Sequence, residues 1–258
     1  MVSSTVNDKE PLGAAPKGKE ARMSFMLHLR ELRDRLIRSC IALIVTTGGS
    51  LAIGGYLLEL LRRPAPKEMG WIGISMLDNM SAWFKVSLMS GVILAMPYLV
   101  YQLFAYVAPG MTSKEKRAVL SVLPAITIMF VAGVAFAYFV ALPPALGFMY
   151  EFGPAKVTPV ITGYISLVTR LILVIGLVFE TPIIIAVMAR LGIVSPQWLA
   201  ARRRLWIVVA FVLAALITPT FDPINQCIIA IPLILLLELG ILLARMVYKK
   251  KREAPQGE

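Results

Sequence analysis

Side chains that bind metal ions are scarce in this chain, which has one histidine, His28, and two cysteines, Cys40 and Cys227. A structural zinc site needs about four clustered ligands, so the sequence offers no metal site to propose. The chain also lacks a P-loop or another nucleotide-binding motif. No residue pattern indicates covalent catalysis, and we therefore expect neither an enzyme nor a cofactor.

Acidic residues are also few, whereas long apolar runs are abundant. The 258 residues include 26 Lys and Arg against 15 Asp and Glu, 58% are hydrophobic, and the mean hydropathy is +0.77. The net charge of +11 would suggest a nucleic-acid partner if it lay on one soluble face. The basic residues lie mostly between the apolar runs instead, where they act as topology signals and contact lipid headgroups. We therefore predict an integral membrane protein that binds no nucleic acid.

Six apolar runs predict an all-α, polytopic protein with six transmembrane helices. The first four are at least as long as the roughly 17–25 residues that a spanning helix needs. The fifth covers only about 20 Å, less than the ~30 Å hydrocarbon core. Helices five and six are predicted to be short, and prolines at positions 97, 124, 182 and 232 predict kinked helices. The predicted spans are about 37–61, 83–106, 120–142, 161–189, 205–217 and 224–244.

The distribution of lysine and arginine predicts the orientation. Twenty of them lie in the N-terminal arm, the loops after spans two and four, and the C-terminal segment, whereas four lie in the opposite loops. The positive-inside rule then places both termini in the cytoplasm. We predict a membrane domain over residues 24–246, preceded by a disordered cytoplasmic tail, residues 1–23, and followed by a basic cytoplasmic tail, residues 247–258.

One carboxylate stands deep inside an apolar run, in the segment V-I-G-L-V-F-E-T-P-I-I, residues 174–184. Glu180 at this depth costs a few kcal/mol by insertion scales. A purely structural interpretation is a neutral glutamate hydrogen-bonded to a carbonyl that the neighbouring proline leaves free. The functional interpretation, which such sites favour by default, is a polar contact with a substrate or a partner helix.

Two further carboxylates face the cytoplasm in this topology. Glu31 lies in H-L-R-E-L-R-D-R-L, residues 28–36, where Arg35 one turn later can form an i,i+4 ion pair. Glu115 lies in the first turn of a predicted helix, where a carboxylate interacts favourably with the helix dipole. Each residue therefore has a structural explanation, and each could instead face a cationic ligand.

For three other charged residues near or within the spans, the sequence pattern gives weaker evidence of a function than it does for Glu31, Glu115 and Glu180. Asp222 in the outer turn most simply caps the sixth helix. Glu238 in the last span lies nearer the inner interface than Glu180, and Arg170 can extend its guanidinium toward the outer interface. We assign structural roles to Asp222 and Glu238 and no function to Arg170.

These residues together resemble the TatC family of twin-arginine translocase proteins. The resemblance runs from about Ser24 to Arg245, and its specificity comes from six landmarks in the expected order. They are H-L-R-E-L-R-D-R-L, P-Y-L-V-Y-Q-L-F-A-Y-V-A-P-G, G-L-V-F-E-T-P, the run of arginines 202–204, T-P-T-F-D-P-I-N-Q and A-I-P-L-I-L-L-L-E-L. Arg170 departs from the family pattern, because a small or apolar residue is usual at that position.

The resemblance implies a receptor for signal peptides that carry two consecutive arginines. In the family, glutamates at the positions of Glu31 and Glu115 meet these arginines. Guanidinium groups pair bidentately with carboxylates in a geometry that lysine cannot copy. We include three neighbours in the expected signal-peptide site: Leu29, Arg30 and Tyr106.

The resemblance also implies an intramembrane contact with small single-span partner proteins of the TatA and TatB types. Glu180 matches the family's fourth-helix glutamate, and Thr218 and Gln226 match a polar site for the same partners. The implied protein is a homo-oligomeric core component in a prokaryotic cytoplasmic membrane that exports folded proteins using the proton gradient. Two alternatives stay open: a proton-coupled small-solute transporter using Glu180, and an insertase-type protein without preference for paired arginines.

Overall fold

The structure, a computed structural model, describes residues 17–107, 122–151, 158–218 and 223–248, and their only β pairing is an isolated bridge between Ile72 and Val160. The all-α prediction is confirmed for these residues. The helices, numbered in chain order, are α1 Lys17–Ala52, α2 Gly54–Arg62, α3 Asp78–Val107, α4 Leu123–Phe136, α5 Leu142–Glu151, α6 Ile161–Phe179, α7 Thr181–Arg190, α8 Pro196–Ala201, α9 Arg203–Ile217 and α10 Pro223–Val247.

Five helical segments of the described chain are long and apolar enough to cross a membrane. Helix α9 has 15 residues and spans only about 22 Å, so the fifth helix is short, as predicted. The prediction of a short sixth helix is wrong, because α10 has 25 residues. It gains length because Pro223 is tolerated in a first helical turn and because apolar residues continue to Val247. The five segments are Leu29–Ala52, Asp78–Tyr106, Leu123–Glu151, Ile161–Arg190 and Pro223–Val247.

The first helix begins earlier and ends sooner than the sequence predicts. It starts at Lys17, inside the predicted tail of residues 1–23, because Lys, Glu, Ala and Arg residues there favour helix. The predicted first span, 37–61, divides at Ile53 into α1 and α2. The indole of Trp83 lies against this break and donates a hydrogen bond of 3.1 Å to the carbonyl of Leu51.

The third and fourth long segments are also interrupted. A π-helical turn, Ala137–Ala141, joins α4 to α5, and the Leu142 N–H bonds to the Ala137 carbonyl. This wider turn precedes Pro143 and Pro144, which have no N–H to continue the α-helical pattern. The fourth segment divides at Glu180, between α6 and α7.

The four prolines take two kinds of position in the described helices. Pro97 and Pro232 lie inside α3 and α10. Pro124 and Pro182 lie in the first turns of α4 and α7, where the missing N–H breaks no hydrogen bond. Bending of these helices stays a prediction.

Helix α6 lies at the centre of the structure. Its buried residues Ile165, Val168 and Ile172 pack in one core with residues of α3 and α4. By contrast, α1 packs mainly along α3, and its side chains from Leu29 to Ala52 are almost all partly or fully exposed. Such exposed apolar surface is expected for a helix that contacts lipid or another protein.

Two tyrosines hold the end of α2 against this centre. The hydroxyls of Tyr138 and Tyr164 donate hydrogen bonds of 2.7 Å to the carbonyls of Leu60 and Leu61. The last carbonyls of a helix have no partner within it. These bonds therefore fix the end of α2, on the side predicted to be outer, to the third and fourth long segments.

Candidate functional site

On the face predicted to be cytoplasmic, Glu31 is held by two hydrogen bonds from one arginine. The guanidinium of Arg35 donates to Glu31 Oε1 at 3.1 Å from Nε and 2.5 Å from Nη2. The side chains of Glu31 and Arg35 are 30% and 21% exposed. The i,i+4 pair expected from the sequence is therefore formed, and the carboxylate keeps an open side toward solvent.

Gln102 on α3 extends this pair into a three-residue network. Its Oε1 accepts a hydrogen bond of 3.3 Å from Arg35 Nη1, and the residue is only 4% exposed. The Arg35 guanidinium is therefore held by Glu31 on α1 and by Gln102 on α3. Through Arg35, the position of the Glu31 carboxylate depends on both helices. Sequence reasoning did not single out Gln102; the available signal was an isolated amide in the apolar end of the second span.

Of the other residues predicted to bind the signal peptide, three lie near Glu31 or Gln102. Leu29 and Arg30 are exposed on α1 next to Glu31, and Leu29 is 42% exposed. Tyr106 lies half-buried in the last turn of α3, one turn beyond Gln102. Glu115 lies outside the described residues.

Glu180 lies at the junction of α6 and α7 and is buried, with 7% of its surface exposed. Its backbone carbonyl accepts hydrogen bonds from the N–H groups of Ile183 and Ile184, at 3.1 and 3.0 Å. Its side-chain Oε1 is buried and has no hydrogen-bond partner among the described residues. The bond from Glu180 to a proline-freed carbonyl is therefore not formed through this oxygen, which can accept from an incoming donor.

Close helix contacts fix the position of this junction. A Cβ atom on Gly240 of α10 would lie 3.1 Å from the Pro182 Cα, and one on Gly133 of α4 would lie 2.9 Å from the Gly176 Cα. Both distances are shorter than ordinary van der Waals contact. The glycines therefore let α10 and α4 approach the backbone on either side of Glu180.

Thr218 ends α9 and Gln226 lies in the first turn of α10, in the half of the membrane domain predicted to be outer. The Thr218 hydroxyl donates to the Ala214 carbonyl at 2.8 Å, and the Gln226 amide donates to the Phe211 carbonyl at 3.0 Å. Asn225 beside them is 4% exposed and was not singled out from the sequence. No hydrogen bond joins Glu180 to Thr218 or Gln226 within the described parts of the chain, so the predicted partner site consists of two separate polar positions.

Of the two residues with predicted structural roles, only Glu238 can be placed. It forms an ion pair with Arg203 at 2.8 Å, with side chains 41% and 49% exposed, and so joins α10 to the start of α9. Asp222 lies outside the described residues.

A pair of cations lies in the half of the membrane domain predicted to be outer. The Lys85 ammonium donates a hydrogen bond of 2.6 Å to the Ser166 hydroxyl, and Arg170 is one helical turn further along α6. Neither cation has a carboxylate partner among the described residues. The same residues contain no group of three or more His, Cys, Asp or Glu that could hold a metal ion.

Comparison with known proteins gives one consistent family. A family model described as Sec-independent protein translocase protein (TatC) matches residues 27–232. A protein of that name from Aquifex aeolicus is 38% identical over 233 residues, which are 88% of this chain and 96% of the relative. One from Escherichia coli is 34% identical over 240 residues, 90% of this chain and 92% of the relative.

Solved structures agree. A crystal structure described as the twin arginine translocase receptor TatC matches with a TM-score of 0.73 at 36% identity, covering 85% of this chain and 99% of that one. A second crystal structure of that receptor, in DDM, matches with a TM-score of 0.74 at 38% identity, covering 84% and 99%.

Proposed function

Because this chain belongs to the TatC family, and is thus a multi-pass membrane component of the Sec-independent twin-arginine translocase, we propose that it is the receptor for twin-arginine signal peptides. The observation that carries this proposal is the Glu31 carboxylate, which is partly exposed at the start of an apolar span and is held by Arg35, whose guanidinium also donates to Gln102. The crystal structures that it resembles are themselves described as translocase receptors.

Binding would use the free acceptor capacity of Glu31. A carboxylate has about four lone-pair positions, and Arg35 occupies one of its oxygens. A guanidinium from the peptide would take the other, with a geometry that an ammonium group cannot reproduce. Glu115 would provide the second carboxylate, and Leu29, Arg30 and Tyr106 would surround the peptide.

The test is binding of the detergent-solubilised protein to an Arg-Arg signal peptide and to its Lys-Lys version. We expect a clear preference for Arg-Arg. Removing Glu31 and Glu115 with E31A/E115A should weaken binding by about tenfold or more, since a hydrogen bond to a charged group contributes about 1.5–3 kcal/mol. Asp34→Ala is the matched control, because Asp34 is an exposed carboxylate on the same helix that pairs with Arg33.

Three outcomes would contradict the receptor proposal. Wild-type affinity in E31A/E115A would remove the recognition role of these glutamates. An equal loss of peptide affinity in Asp34→Ala would show that only the net negative charge of the protein matters, and not the positions of Glu31 and Glu115. Equal binding of the Arg-Arg and Lys-Lys peptides would instead favour the insertase-type alternative.

We further propose that Glu180, Thr218 and Gln226 contact the single-span TatA- and TatB-type proteins. Support comes from the buried Glu180 Oε1 that has no partner among the described residues. Glu180→Ala should reduce crosslinking to such a partner by severalfold while Arg-Arg peptide binding changes little. Glu238→Ala provides the control, because that glutamate already has Arg203 as a partner. Loss of peptide binding with intact crosslinking would show that Glu180 serves the signal peptide instead.

The remaining parts of the proposal concern the setting of the protein. We propose, as the sequence analysis predicts, that the protein has six spans with both termini in the cytoplasm. It would lie in the cytoplasmic membrane, form a homo-oligomeric receptor complex and use the proton gradient as its energy source. Family membership does not favour the alternative of a proton-coupled solute transporter using Glu180. That alternative would require solute uptake by the purified protein alone.

A further inference from the structure

A largely apolar cavity lies between α7, α8, α9 and α10. It has a volume of about 400 Å³ and is partly open. Its walls include Ile185, Trp198, Trp206, Ala210 and Leu237. Trp198 lies in α8 and Trp206 near the start of α9, so this end of the cavity lies in the half of the membrane domain predicted to face the cytoplasm.

Positive charge is concentrated at one end of this cavity. Arg202 stacks its guanidinium 4.2 Å from the centre of the Trp198 ring, which places the arginine at the rim. Arg203, the next residue, is paired with Glu238, whereas Arg202 has no ion pair with any described residue. The rim therefore carries one positive charge that this part of the chain does not neutralise.

A hydrogen-bond donor at the cavity also lacks an acceptor. The indole Nε1 of Trp206 is buried and has no partner among the described residues, although a buried indole N–H usually finds one. Trp206 and Trp198 face each other with ring centres 6.2 Å apart. Tryptophans at this position match the aromatic belt at a membrane interface, where ester and phosphate oxygens of lipids are available.

We propose that this cavity is a binding site for an anionic phospholipid. One acyl chain occupies the apolar cavity, an ester or phosphate oxygen accepts from Trp206 Nε1, and the phosphate faces Arg202. Basic pockets between transmembrane helices on the cytoplasmic side bind anionic headgroups in this way. The proposal does not depend on signal-peptide recognition, because no residue of the proposed peptide site lines the cavity; Thr181, which directly follows Glu180, does line it.

The lining of the cavity favours an acyl chain as its occupant. Its walls are almost entirely apolar side chains, most of them from four helices, and a fatty acyl chain is thin enough to lie among them. The unneutralised Arg202 at the rim then favours a negatively charged headgroup over a zwitterionic one.

The test is native mass spectrometry of the purified full chain with added phosphatidylglycerol or phosphatidylcholine. We expect wild-type protein to retain phosphatidylglycerol at least tenfold more strongly. Arg202→Gln should reduce this preference to about twofold or less. K85Q/R170Q is the matched control, since it removes two membrane-domain cations outside the cavity and should keep the preference. Ala210→Phe, which fills the cavity, should reduce binding of both lipids.

Each result decides the proposal, with folding of every variant checked by size-exclusion chromatography and circular dichroism. Equal retention of the two lipids by wild-type protein would overturn it, as would equal loss in Arg202→Gln and K85Q/R170Q. If Ala210→Phe abolishes partner crosslinking but leaves lipid retention unchanged, the cavity binds a protein segment and the proposal is wrong. Should Ala210→Phe not fold, Arg202→Gln and K85Q/R170Q decide alone.

Discussion

At the scale of single residues, Glu180 presents the sharpest energetic problem. A carboxylate oxygen that is buried without a partner costs about 1–3 kcal/mol relative to a satisfied group, and apolar surroundings within a membrane do not lower that cost. Glu180 is nevertheless 7% exposed, with Oε1 unpaired among the described residues. A group that destabilises the isolated protein is explained if a partner supplies the missing donor.

Replacing this glutamate by an apolar residue should therefore stabilise the protein on its own. We expect Glu180→Leu to raise the free energy of unfolding in detergent by about 1–3 kcal/mol, since leucine has no group to desolvate. Chemical denaturation followed by circular dichroism provides the measurement. In the control, Glu238→Leu, a half-exposed ion pair with Arg203 is lost and stability should not rise. Destabilisation by Glu180→Leu would mean that the carboxylate is satisfied inside the protein.

Residue-level reasoning from sequence succeeded where the interaction is local in the chain. The Glu31–Arg35 pair follows from i,i+4 spacing alone, and the structure contains it. Gln102 was missed because its contact with Arg35 joins residues 67 positions apart, and no local pattern encodes such a contact. For the same reason, no sequence pattern indicated that Trp206 lines a cavity.

At the scale of helices, glycine contacts decide how closely the segments around Glu180 pack. Helix α10 approaches α7 where Gly240 faces Pro182 and Ile185. The Pro182 backbone cannot move aside as a flexible side chain can. A larger residue at position 240 must therefore separate the two helices.

Gly240→Leu tests this close packing. We expect it to lower the free energy of unfolding by about 1–3 kcal/mol, the usual cost of overpacking, and to reduce partner crosslinking because the Glu180 junction shifts. Gly163→Leu is the matched control, since no atom lies within 4 Å of a Cβ built there and α6 should accept the side chain. Thermal unfolding in detergent measures both variants. Equal melting temperatures would show that α10 and α7 can separate without penalty.

Helix boundaries show which part of the fold hydropathy can predict. The apolar runs located the long segments, because membrane burial requires continuous apolar length. They did not reveal the breaks at Ile53 and Glu180 or the π turn before Pro143. These breaks depend on tertiary contacts, such as the Trp83 indole at the Leu51 carbonyl, and on local loss of N–H donors.

At the scale of the whole molecule, the described helices place three of the proposed sites in different parts of the structure. The Glu31 network lies between α1 and α3, the lipid cavity lies between α7 and α10, and the polar pair Thr218 and Gln226 lies where α9 ends and α10 begins. Helix α9 is central to this arrangement, because it contributes to both the cavity and the polar pair. Whether it crosses the membrane determines the side on which the C-terminus lies.

The number of spans can be tested by labelling single cysteines in intact cells. With Cys40 and Cys227 replaced by alanine, cysteines would be introduced at Met76, Gln197 and Met246, one variant each. If α9 crosses the bilayer despite its length of about 22 Å, Met246 and Gln197 lie on the cytoplasmic side and only Met76, which is 98% exposed, reacts with an impermeant maleimide. A non-crossing α9 would leave five spans and place Met246 outside, so its labelling together with Met76 would contradict the six-span prediction. The first outcome would require either a thinner bilayer around α9 or its shielding by another subunit, since α9 is shorter than the hydrocarbon layer.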